Sequence, residues 1–461
     1  GSTGVEGLHH LIWEVVDNSL TYSTPVFVEG AKGVEVLPIG KMIDTAIESN
    51  ADRLQKGGET EILRDGFSFK ALSFNPKTLT LAWRSISSLI RHRVNSAILE
   101  ITLQNGRKIE ITPYHSLFTL RRGEVVPIKG DELSVGSYVV VPKHFPEPSV
   151  YQGELDLLGA FAALPEEKIK SINLYGVGTI LKDPSFRPFL KNYILTIGSS
   201  QHWANVLNDY IRYNYLPLRA WRTLPLELRA RFAGCRIGNK RNNTFTLPTR
   251  LSFSRELIEL LGLYTAEGSS FTGSANRVVW SFGTHEQELI RYTQALIKQV
   301  FGYRAEPHYA HESATTIQID SLAVALLFRD IFGAGGTSHH KKVPSLIFNL
   351  PPFLRERYLI AYAAGDGYPS SRFASHLWNN TSFSPDERSK FTLVSASKEL
   401  IEGISYLLFS LGKTFSIGEA EGKSGREISV AYRERKYTAK LPATSSWRLE
   451  FYWNTNSSYI N

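Results

Sequence analysis

The spacing of hydrophobic positions divides the chain into segments with different periodicities. Residues 1–18 carry apolar side chains at helical spacing, which predicts an amphipathic helix. From residue 19 to about residue 150 the apolar positions form short runs between turns, and Asn105-Gly106 is a hairpin signal. The predicted strands are 25–29, 98–103, 109–112 and 138–141. This pattern indicates a compact all-β unit, followed at 151–250 by a mixed segment that leans towards helix.

An internal repeat follows residue 250. Each copy contains a helix, a strand and a second helix, at 257–268, 278–282 and 287–301 and again at 354–367, 391–395 and 398–411. The first helix of each copy ends in an acid followed by glycine, at Glu267 and Asp366. We therefore expect two similar halves with their acids at equivalent positions.

Length and composition indicate a multidomain intracellular protein. A chain of 461 residues is too long for one ordinary core and suggests about three domains. It lacks a membrane-length apolar run and a secretory start, so we expect a cytoplasmic protein with no membrane partner. Cys235 is the only cysteine, which excludes an intrachain disulfide and a cysteine-based zinc site.

The positive charge is concentrated in one stretch. Residues 203–250 carry most of the net charge of +8, because they contain nine basic and two acidic side chains. Aromatic residues are interleaved with them, namely Trp203, Tyr210, Tyr213, Tyr215 and Trp221. The DNA-contact candidates are Arg219, Arg222, Arg229, Arg231, Arg236, Lys240 and Arg241. This mixture suits phosphate contacts and base stacking, and a solvated arginine-rich face is the equally open alternative.

The two repeated helices each place an acidic residue at their C-terminal end. Small residues such as Gly262 and Gly365 let two helix backbones pack closely, which would bring Glu267 and Asp366 together. Two adjacent carboxylates repel each other unless a cation lies between them. Hard oxygen ligands favour Mg²⁺, which activates water and stabilises phosphate charge.

The two segments LLGLYTAEG, which ends at Gly268, and LIAYAAGDG, which ends at Gly367, resemble the signature motifs of single-chain LAGLIDADG homing endonucleases over about 250–455. The resemblance implies an α+β domain with pseudo-twofold symmetry that binds double-stranded DNA. It also implies that Glu267 and Asp366 are catalytic, Mg²⁺-binding acids. A degenerate domain that binds DNA without cutting it is the alternative.

The segment HHKKVP at 339–344 resembles the basic segment that precedes the second motif in that family. A lysine there would polarise the attacking water or stabilise the leaving group. The sequence leaves open whether Lys341 or Lys342 has that role, and whether the segment only grips phosphate. Lys413 is a weaker candidate.

Two blocks of the β-rich unit resemble the splicing blocks of inteins. These are SLTYSTPVFVEGAKGVEVLPIGKMID, from Ser19, and TPYHSLFTL, from Thr112. The resemblance implies a horseshoe-like, all-β splicing (Hint) domain in which Ser19 is the nucleophile. Thr112 and His115 would assist its attack on the preceding carbonyl. Most inteins begin with Cys, whereas position 19 is Ser, a slower oxygen nucleophile, and the sequence leaves open whether Ser19 is natural or a Cys→Ser change.

The flanking segment STGVEGLHHLIWEVVDN resembles the first ATP-site helix of the gyrase B and topoisomerase IV ATPase family. It implies a gyrase B host, a splice junction between Asn18 and Ser19, and an intein-less gyrase B gene as the DNA target. The chain closes on NSSYIN rather than on a His-Asn block. We therefore expect that the C-terminal splicing block is missing from this chain. It would then be a complementary C-terminal intein fragment on a separate chain, as in a split intein, or be absent altogether. The alternative is that Asn461 is itself the asparagine that cyclises.

These observations divide the chain into a host segment at 1–18, the N-terminal part of a splicing domain at 19–150, an accessory DNA-contacting region at 151–250 and an endonuclease domain at 251–461.

Overall fold

The computed structural model describes residues 19–31, 33–143, 145–198, 202–239, 242–311, 313–384, 387, 389–420, 427–432, 435–440 and 445–453. The predicted helix at 1–18 and Asn461 lie outside these residues. Among the described helices, none has the length and apolar character needed to cross a bilayer.

The first part of the chain is built from antiparallel strands, as its alternating apolar runs predict. The strands are β1 (Pro25–Gly30), β2 (Gly33–Pro38), β3 (Gln55–Gly57), β4 (Thr60–Arg64), β5 (Lys70–Asn75), β6 (Thr80–Ser85), β7 (Ser88–His92), β8 (Leu99–Thr102), β9 (Lys108–Ile111), β10 (Ser116–Arg121) and β11 (Glu124–Lys129). They form sheets in the orders β2-β1-β5-β6 and β3-β4-β7, with β8-β9 and β10-β11 as hairpins.

Two expectations for this part are wrong. It contains a helix, α1 (Ile39–Glu48), whose Ile43 and Ile47 are buried against Leu63 and Leu89. Residues 138–141 do not form a strand, and Tyr138 is 82% exposed. The Val140 amide donates to the Phe118 carbonyl of β10 at 2.8 Å, but the pairing does not extend into a ladder, so β propensity alone is insufficient for a strand here.

The middle of the chain is mixed, as predicted. Its strands are β12 (Glu154–Asp156), β13 (Ile172–Tyr175), β14 (Tyr215–Pro217), β15 (Arg236–Asn239), β16 (Asn242–Pro248) and β17 (Arg250–Ser252). Its helices are α2 (Leu157–Ala162), α3 (Glu166–Ile169), α4 (Arg187–Thr196), α5 (Trp203–Arg212), α6 (Leu218–Arg222) and α7 (Leu226–Arg229). Strands β14-β13-β15-β16 form one antiparallel sheet and β12 pairs with β17.

The internal repeat is present in the fold. The first copy consists of α8 (Arg255–Glu267), β18 (Gly268–Phe271), β19 (Arg277–Gly283), α9 (Gln287–Phe301), β20 (Pro307–His311), β21 (Ala314–Ile319) and α10 (Leu322–Leu326). The second consists of α11 (Pro352–Asp366), β22 (Gly367–Tyr368), α12 (Ser370–Trp378), β23 (Lys390–Ser395), α13 (Lys398–Ser410), β24 (Phe415–Ala420), β25 (Glu427–Tyr432), β26 (Arg435–Lys440) and β27 (Ser446–Tyr452). The sheets have the orders β18-β19-β21-β20 and β22-β23-β27-β24, so equivalent strands occupy equivalent places.

Helices α8 and α11 pack against each other at unusually short range. A Cβ placed on Gly262 would lie 2.6 Å from the carbonyl oxygen of Tyr358 and 2.7 Å from the Cβ of Ala361. The Tyr358 hydroxyl donates to Thr265 Oγ1 across the interface at 2.9 Å. A fully buried ion pair between Arg357 Nε and Glu259 Oε1, at 2.6 Å, joins the same helices. Glycine is therefore required at 262 for this close approach.

The repeat also contacts the β-rich unit. Asn349, which is 1% exposed and precedes α11, accepts from the Val34 amide at 2.6 Å and donates to the Val34 carbonyl at 2.8 Å. Val34 lies in β2, the edge strand of its sheet. The side-chain amide of Asn349 thus replaces a neighbouring strand at that edge.

Candidate functional site

Ser19 is held at the end of β9. Its carbonyl accepts from the Thr112 amide at 3.0 Å, and Leu20 forms an isolated antiparallel bridge with Ile111. The Ser19 amide donates to Thr112 Oγ1 at 2.9 Å, and the same hydroxyl donates to the Ser19 carbonyl at 3.3 Å. Thr112 therefore fixes both polar groups of the Ser19 backbone, including the nitrogen of its peptide bond to Asn18.

His115 lies in the turn between β9 and β10. Its amide donates to the Thr112 carbonyl at 3.0 Å, and its own carbonyl accepts from the Gly130 amide at 3.0 Å. These two bonds tie the Thr-x-x-His segment into one compact turn beside Ser19. Thr112 and His115 therefore share one turn, and Thr112 joins that turn to Ser19.

A residue that the sequence analysis missed contacts the Ser19 hydroxyl. Ser19 Oγ lies 2.6 Å from Nε2 of His92, at the end of β7. The two residues are 73 positions apart, and His92 stands in an ordinary strand sequence. Only the pairing of β7 with β4 places this ring at Ser19.

A second cluster of ionisable groups lies where α8 and α11 end. Each helix ends at its acid, Glu267 or Asp366, and the next glycine begins a strand. Gly365 permits the approach, because a Cβ there would lie 2.7 Å from the Cβ of Ala266 and 2.9 Å from Glu267 Oε1. The predicted meeting of the two acids is present in the structure.

The environment disfavours the charged form of both acids. Burial, followed by the charge of Asp366, raises the pKa of Glu267 to about 8. Burial likewise raises the pKa of Asp366 to about 7, against the opposing effect of Lys341. A cation placed between the two would offset both causes.

Lys341, rather than Lys342, joins the acids. Lys341 is 3% exposed, its ammonium group donates to the Tyr264 carbonyl, and it lies 4.0 Å from the centre of the Tyr264 ring. Burial lowers the pKa of Lys341 to about 7, although Asp366 and Glu267 oppose the change. Lys342 instead lies 3.7 Å from Glu399 Oε1. The structure therefore separates two neighbours that the sequence could not.

Lys413 lies apart from the acids. Its ammonium group donates to the Trp453 carbonyl at 2.8 Å and lies 4.4 Å from the centre of the Trp453 ring. Burial lowers its pKa, and the charge that opposes this effect is Glu356 rather than Glu267 or Asp366. Its contacts are those of a structural lysine.

The donor set fits Mg²⁺ better than a transition metal. Within the described part of the chain, no group of three or more His, Cys, Asp or Glu side chains is arranged to hold an ion. Two carboxylates alone are a poor zinc site. Mg²⁺ is commonly held by one or two carboxylates together with waters and substrate phosphates. Glu267 and Asp366 are the residues that would hold it.

Comparison with known proteins shows the family. The family model of the intein splicing domain matches residues 35–439, which is most of the chain. The chain belongs to the intein splicing domain family.

Relatives of this intein chain include DNA polymerases. The DNA polymerase of Thermococcus kodakarensis is 26% identical over 396 residues, which cover 76% of this chain and 23% of that protein. The DNA polymerase of Pyrococcus horikoshii is 43% identical over 145 residues, covering 32% of this chain and 12% of that protein. The chain therefore spans 23% of the length of the first of these curated relatives and 12% of the length of the second. The gyrase B host expected from residues 1–18 has no counterpart in these two relatives.

Solved structures include inteins. A transcription factor IIB mini-intein is 32% identical, and the alignment covers 28% of this chain and 70% of that one, with a TM-score of 0.26. The KlbA intein precursor of Methanococcus jannaschii is 24% identical over 27% of this chain and 66% of that one, with a TM-score of 0.25.

The basic stretch of the intein chain is largely engaged in its own contacts. Arg219 pairs with Glu166 at 3.2 Å, and Arg231 pairs with Asp183 at 2.6 Å, which lowers the pKa of Asp183 to about 2. Arg229 donates to the Leu224 carbonyl at 2.7 Å. These arginines therefore have structural contacts within the protein, which the net charge of the segment did not indicate. The contacts are compatible with DNA binding.

The remaining candidates in this stretch differ in environment. Arg236 donates to Thr246 Oγ1 at 2.7 Å, and Arg222 is exposed. Lys240 and Arg241 lie outside the described residues. The stacking prediction is wrong for Tyr210 and Trp221, which are 4% and 7% exposed and belong to the core. Tyr213 is 61% exposed, and the Arg212 guanidinium lies 5.5 Å from the centre of its ring.

Proposed function

We propose that this intein performs protein splicing with Ser19 as its first nucleophile. In the first step Ser19 Oγ forms an ester bond to the carbonyl carbon of Asn18 while the Asn18–Ser19 amide bond breaks. The hydroxyl proton is transferred, in net terms, to the Ser19 nitrogen. Support comes from Thr112, which hydrogen-bonds that nitrogen and the Ser19 carbonyl. His115, in the same turn, is the expected proton carrier.

Hydroxylamine tests this step, because it cleaves an ester but leaves an amide intact. Treatment of the chain should release residues 1–18, whereas Ser19→Ala should release nothing. Thr112→Val should slow release and keep the fold, since it removes only the hydroxyl. Release from Ser19→Ala at the normal rate would refute the assignment. A complementary C-terminal intein fragment is the partner that we propose for the later steps, with gyrase B as the host protein.

We further propose that the repeat is a LAGLIDADG endonuclease that cuts double-stranded DNA at the intein-less gyrase B site. The observation that supports this proposal is the meeting of Glu267, Asp366 and Lys341 at the ends of two close-packed helices. A buried group of two acids and one lysine is costly to maintain, and such perturbed groups cluster at functional sites.

Each residue of the cluster has a defined part in phosphodiester hydrolysis. Mg²⁺, when bound, supplies charge neutralisation at the phosphate and an acidified water. Glu267 and Asp366 would hold that ion, one acid from each half. Lys341 has a pKa of about 7, so its amine exchanges a proton readily near neutral pH and is suited to receive one from the attacking water. The water oxygen bonds to phosphorus, the bond from phosphorus to the leaving sugar oxygen breaks, and that oxygen takes up a proton from solvent to become a hydroxyl. The family resemblance implies short 3′ overhangs.

Plasmid cleavage is the decisive experiment. A plasmid bearing the uninterrupted gyrase B site should be linearised in the presence of Mg²⁺, and Glu267→Gln and Asp366→Asn should each abolish cutting. Lys341→Met should reduce the rate by about 10²–10³-fold, a typical loss for one electrostatic catalytic group. Lys342→Met is the matched control and should cut within a few-fold of the normal rate.

Two outcomes would change this assignment. Equal losses in the Lys341 and Lys342 variants would refute the distinction between them. Site-specific, salt-sensitive binding without cutting would favour the alternative function, a degenerate domain that retains only DNA binding.

A further inference from the structure

His92 approaches Ser19 from a different element than Thr112 and His115 do. It is the last residue of β7, where it pairs with the buried Thr60 of β4. Leu89, in the same strand, is buried in the core beneath α1. The ring is thus carried by a packed strand rather than by a mobile loop. Its Nε2 atom is 2.6 Å from Ser19 Oγ, the atom that must attack in the first splicing step.

The other ring nitrogen favours one tautomer. Nδ1 of His92 lies 3.3 Å from the carbonyl oxygen of Arg93, which can only accept a hydrogen bond. A neutral imidazole therefore carries its proton on Nδ1 and presents the lone pair of Nε2 to Ser19. The hydroxyl then donates to Nε2. This is the arrangement of a general base and its nucleophile.

We propose that His92 is the general base that removes the Ser19 hydroxyl proton during the first acyl shift. The proton passes from Ser19 Oγ to His92 Nε2 as Oγ bonds to the Asn18 carbonyl carbon. The amide bond then breaks as the Ser19 nitrogen takes a proton from His115, the proton carrier, and becomes an amine, after which His92 loses its proton to solvent and His115 regains one. No other reactant is required. The proposal rests on the assignment of Ser19 as the nucleophile.

The chemistry explains why this chain needs such a residue. An alcohol is far less acidic than a thiol, whose usual pKa is about 8.5. A cysteine nucleophile is partly ionised near neutral pH and depends less on a base. A serine at position 19 requires proton removal during attack, for which a positioned base typically gives about 10²–10⁴-fold.

The experiment measures the initial rate of release of residues 1–18 from the full chain at saturating hydroxylamine. We expect His92→Ala and His92→Gln to reduce the rate at least about 10²-fold. Glutamine can hydrogen-bond the hydroxyl but cannot take its proton, so a residue that merely orients Ser19 would be replaced by it. His308→Ala, which removes an exposed histidine on β20, is the matched control and should leave the rate unchanged.

Two further measurements separate catalysis from structure. Added imidazole should restore much of the rate in His92→Ala, as a diffusible base, but not in Ser19→Ala. In the Ser19→Cys background, His92→Gln should reduce the rate by roughly 10-fold or less, because the thiol ionises on its own. Circular dichroism of each variant checks the fold.

The outcomes distinguish this inference from the assignment on which it rests. If the unaltered chain releases nothing, or Ser19→Ala releases residues 1–18, the nucleophile is misassigned and the role of His92 falls with it. If the unaltered chain releases residues 1–18 and a folded His92→Gln does so equally fast, only the inference about His92 is wrong. Equal losses in the serine and cysteine backgrounds would also overturn it.

Discussion

The buried carboxyl of Glu267 should destabilise the metal-free protein, and replacing it with glutamine should make that protein more stable. Glutamine has the shape of the protonated acid but cannot ionise. Because burial and Asp366 raise the pKa of Glu267 from 4.5 to about 8, the folded state holds this proton far more tightly than the unfolded chain. The stability difference between Glu267→Gln and the unaltered protein should therefore depend on pH.

The magnitude follows from the shift in pKa. Below pH 4.5 the acid is protonated in both states and has no effect on the free energy of unfolding. As the pH rises towards 8, the unfolded chain ionises freely while the folded one does not, and stability is lost. With about 1.4 kcal/mol for each unit of pKa, the loss is about 1 kcal/mol at pH 5 and about 3 kcal/mol at pH 7. For a cooperative unit of about 200 residues, 3 kcal/mol corresponds to roughly 6–12 °C in melting temperature.

Thermal unfolding in EDTA at pH 5 and pH 7 measures this effect. We expect Glu267→Gln to melt several degrees above the unaltered protein at pH 7 and close to it at pH 5. Adding Mg²⁺ should raise the melting temperature of the unaltered protein, since an ion bound only to the folded state adds about 2.7 kcal/mol at 100 times its Kd. The variant should lose most of that response.

The control is Glu59→Gln, which changes an exposed acid in the turn between β3 and β4. It should show neither effect. A gain from Glu267→Gln that is the same at pH 5 and pH 7 would refute the argument, because it would not come from ionisation. A loss of stability at pH 7 would mean that the acid is paired rather than desolvated.

Three further predictions concern packing. Gly262→Ala places a methyl group 2.6 Å from a carbonyl of the facing helix, so it should lower the free energy of unfolding by about 1–3 kcal/mol and impair DNA cleavage. A melting temperature equal to that of the unaltered protein would contradict the close approach. Glu259→Ala leaves the buried guanidinium of Arg357 without its acid and should cost about 3–5 kcal/mol in denaturant unfolding, whereas the conservative Glu259→Gln should cost less. Asn349→Ala removes both hydrogen bonds to Val34, so the Val34 amide should exchange its hydrogen faster, with a loss of about 1–3 kcal/mol; unchanged exchange would show that the contact is not maintained.

Patterns that repeat along the chain were predictable. The repeat correctly predicts the acid-glycine ends of α8 and α11 and the helix at Gln287–Phe301. The prediction is possible because the same pattern of residues occurs twice in the sequence. The Thr112–His115 turn was predictable because its residues are neighbours. The strand expected at 138–141 was wrong because its contact with β10 does not extend into a ladder.

Contacts between distant segments were not predictable. His92 and Ser19 are 73 residues apart, and Arg219 and Arg231 find their acids 53 and 48 residues earlier in the chain. Lys341 and Lys342 are equivalent in sequence, and only the packing of 341 beneath Tyr264 separates them. In each case the role of the residue depends on its burial or on its contact partner. Neither of these produces a repeating pattern in the sequence.

The contact of Asn349 with β2 constrains how this chain can be shortened. An unprotected edge strand exposes amide and carbonyl groups that recruit strands from other molecules. A shorter chain that lacks the internal repeat and the segment containing Asn349 would expose Val34 in this way, which favours aggregation. Point substitutions within the repeat leave this edge covered, whereas excision of the repeat together with Asn349 does not. The repeat can therefore persist as a cover for the β-rich unit, whatever chemistry it performs itself.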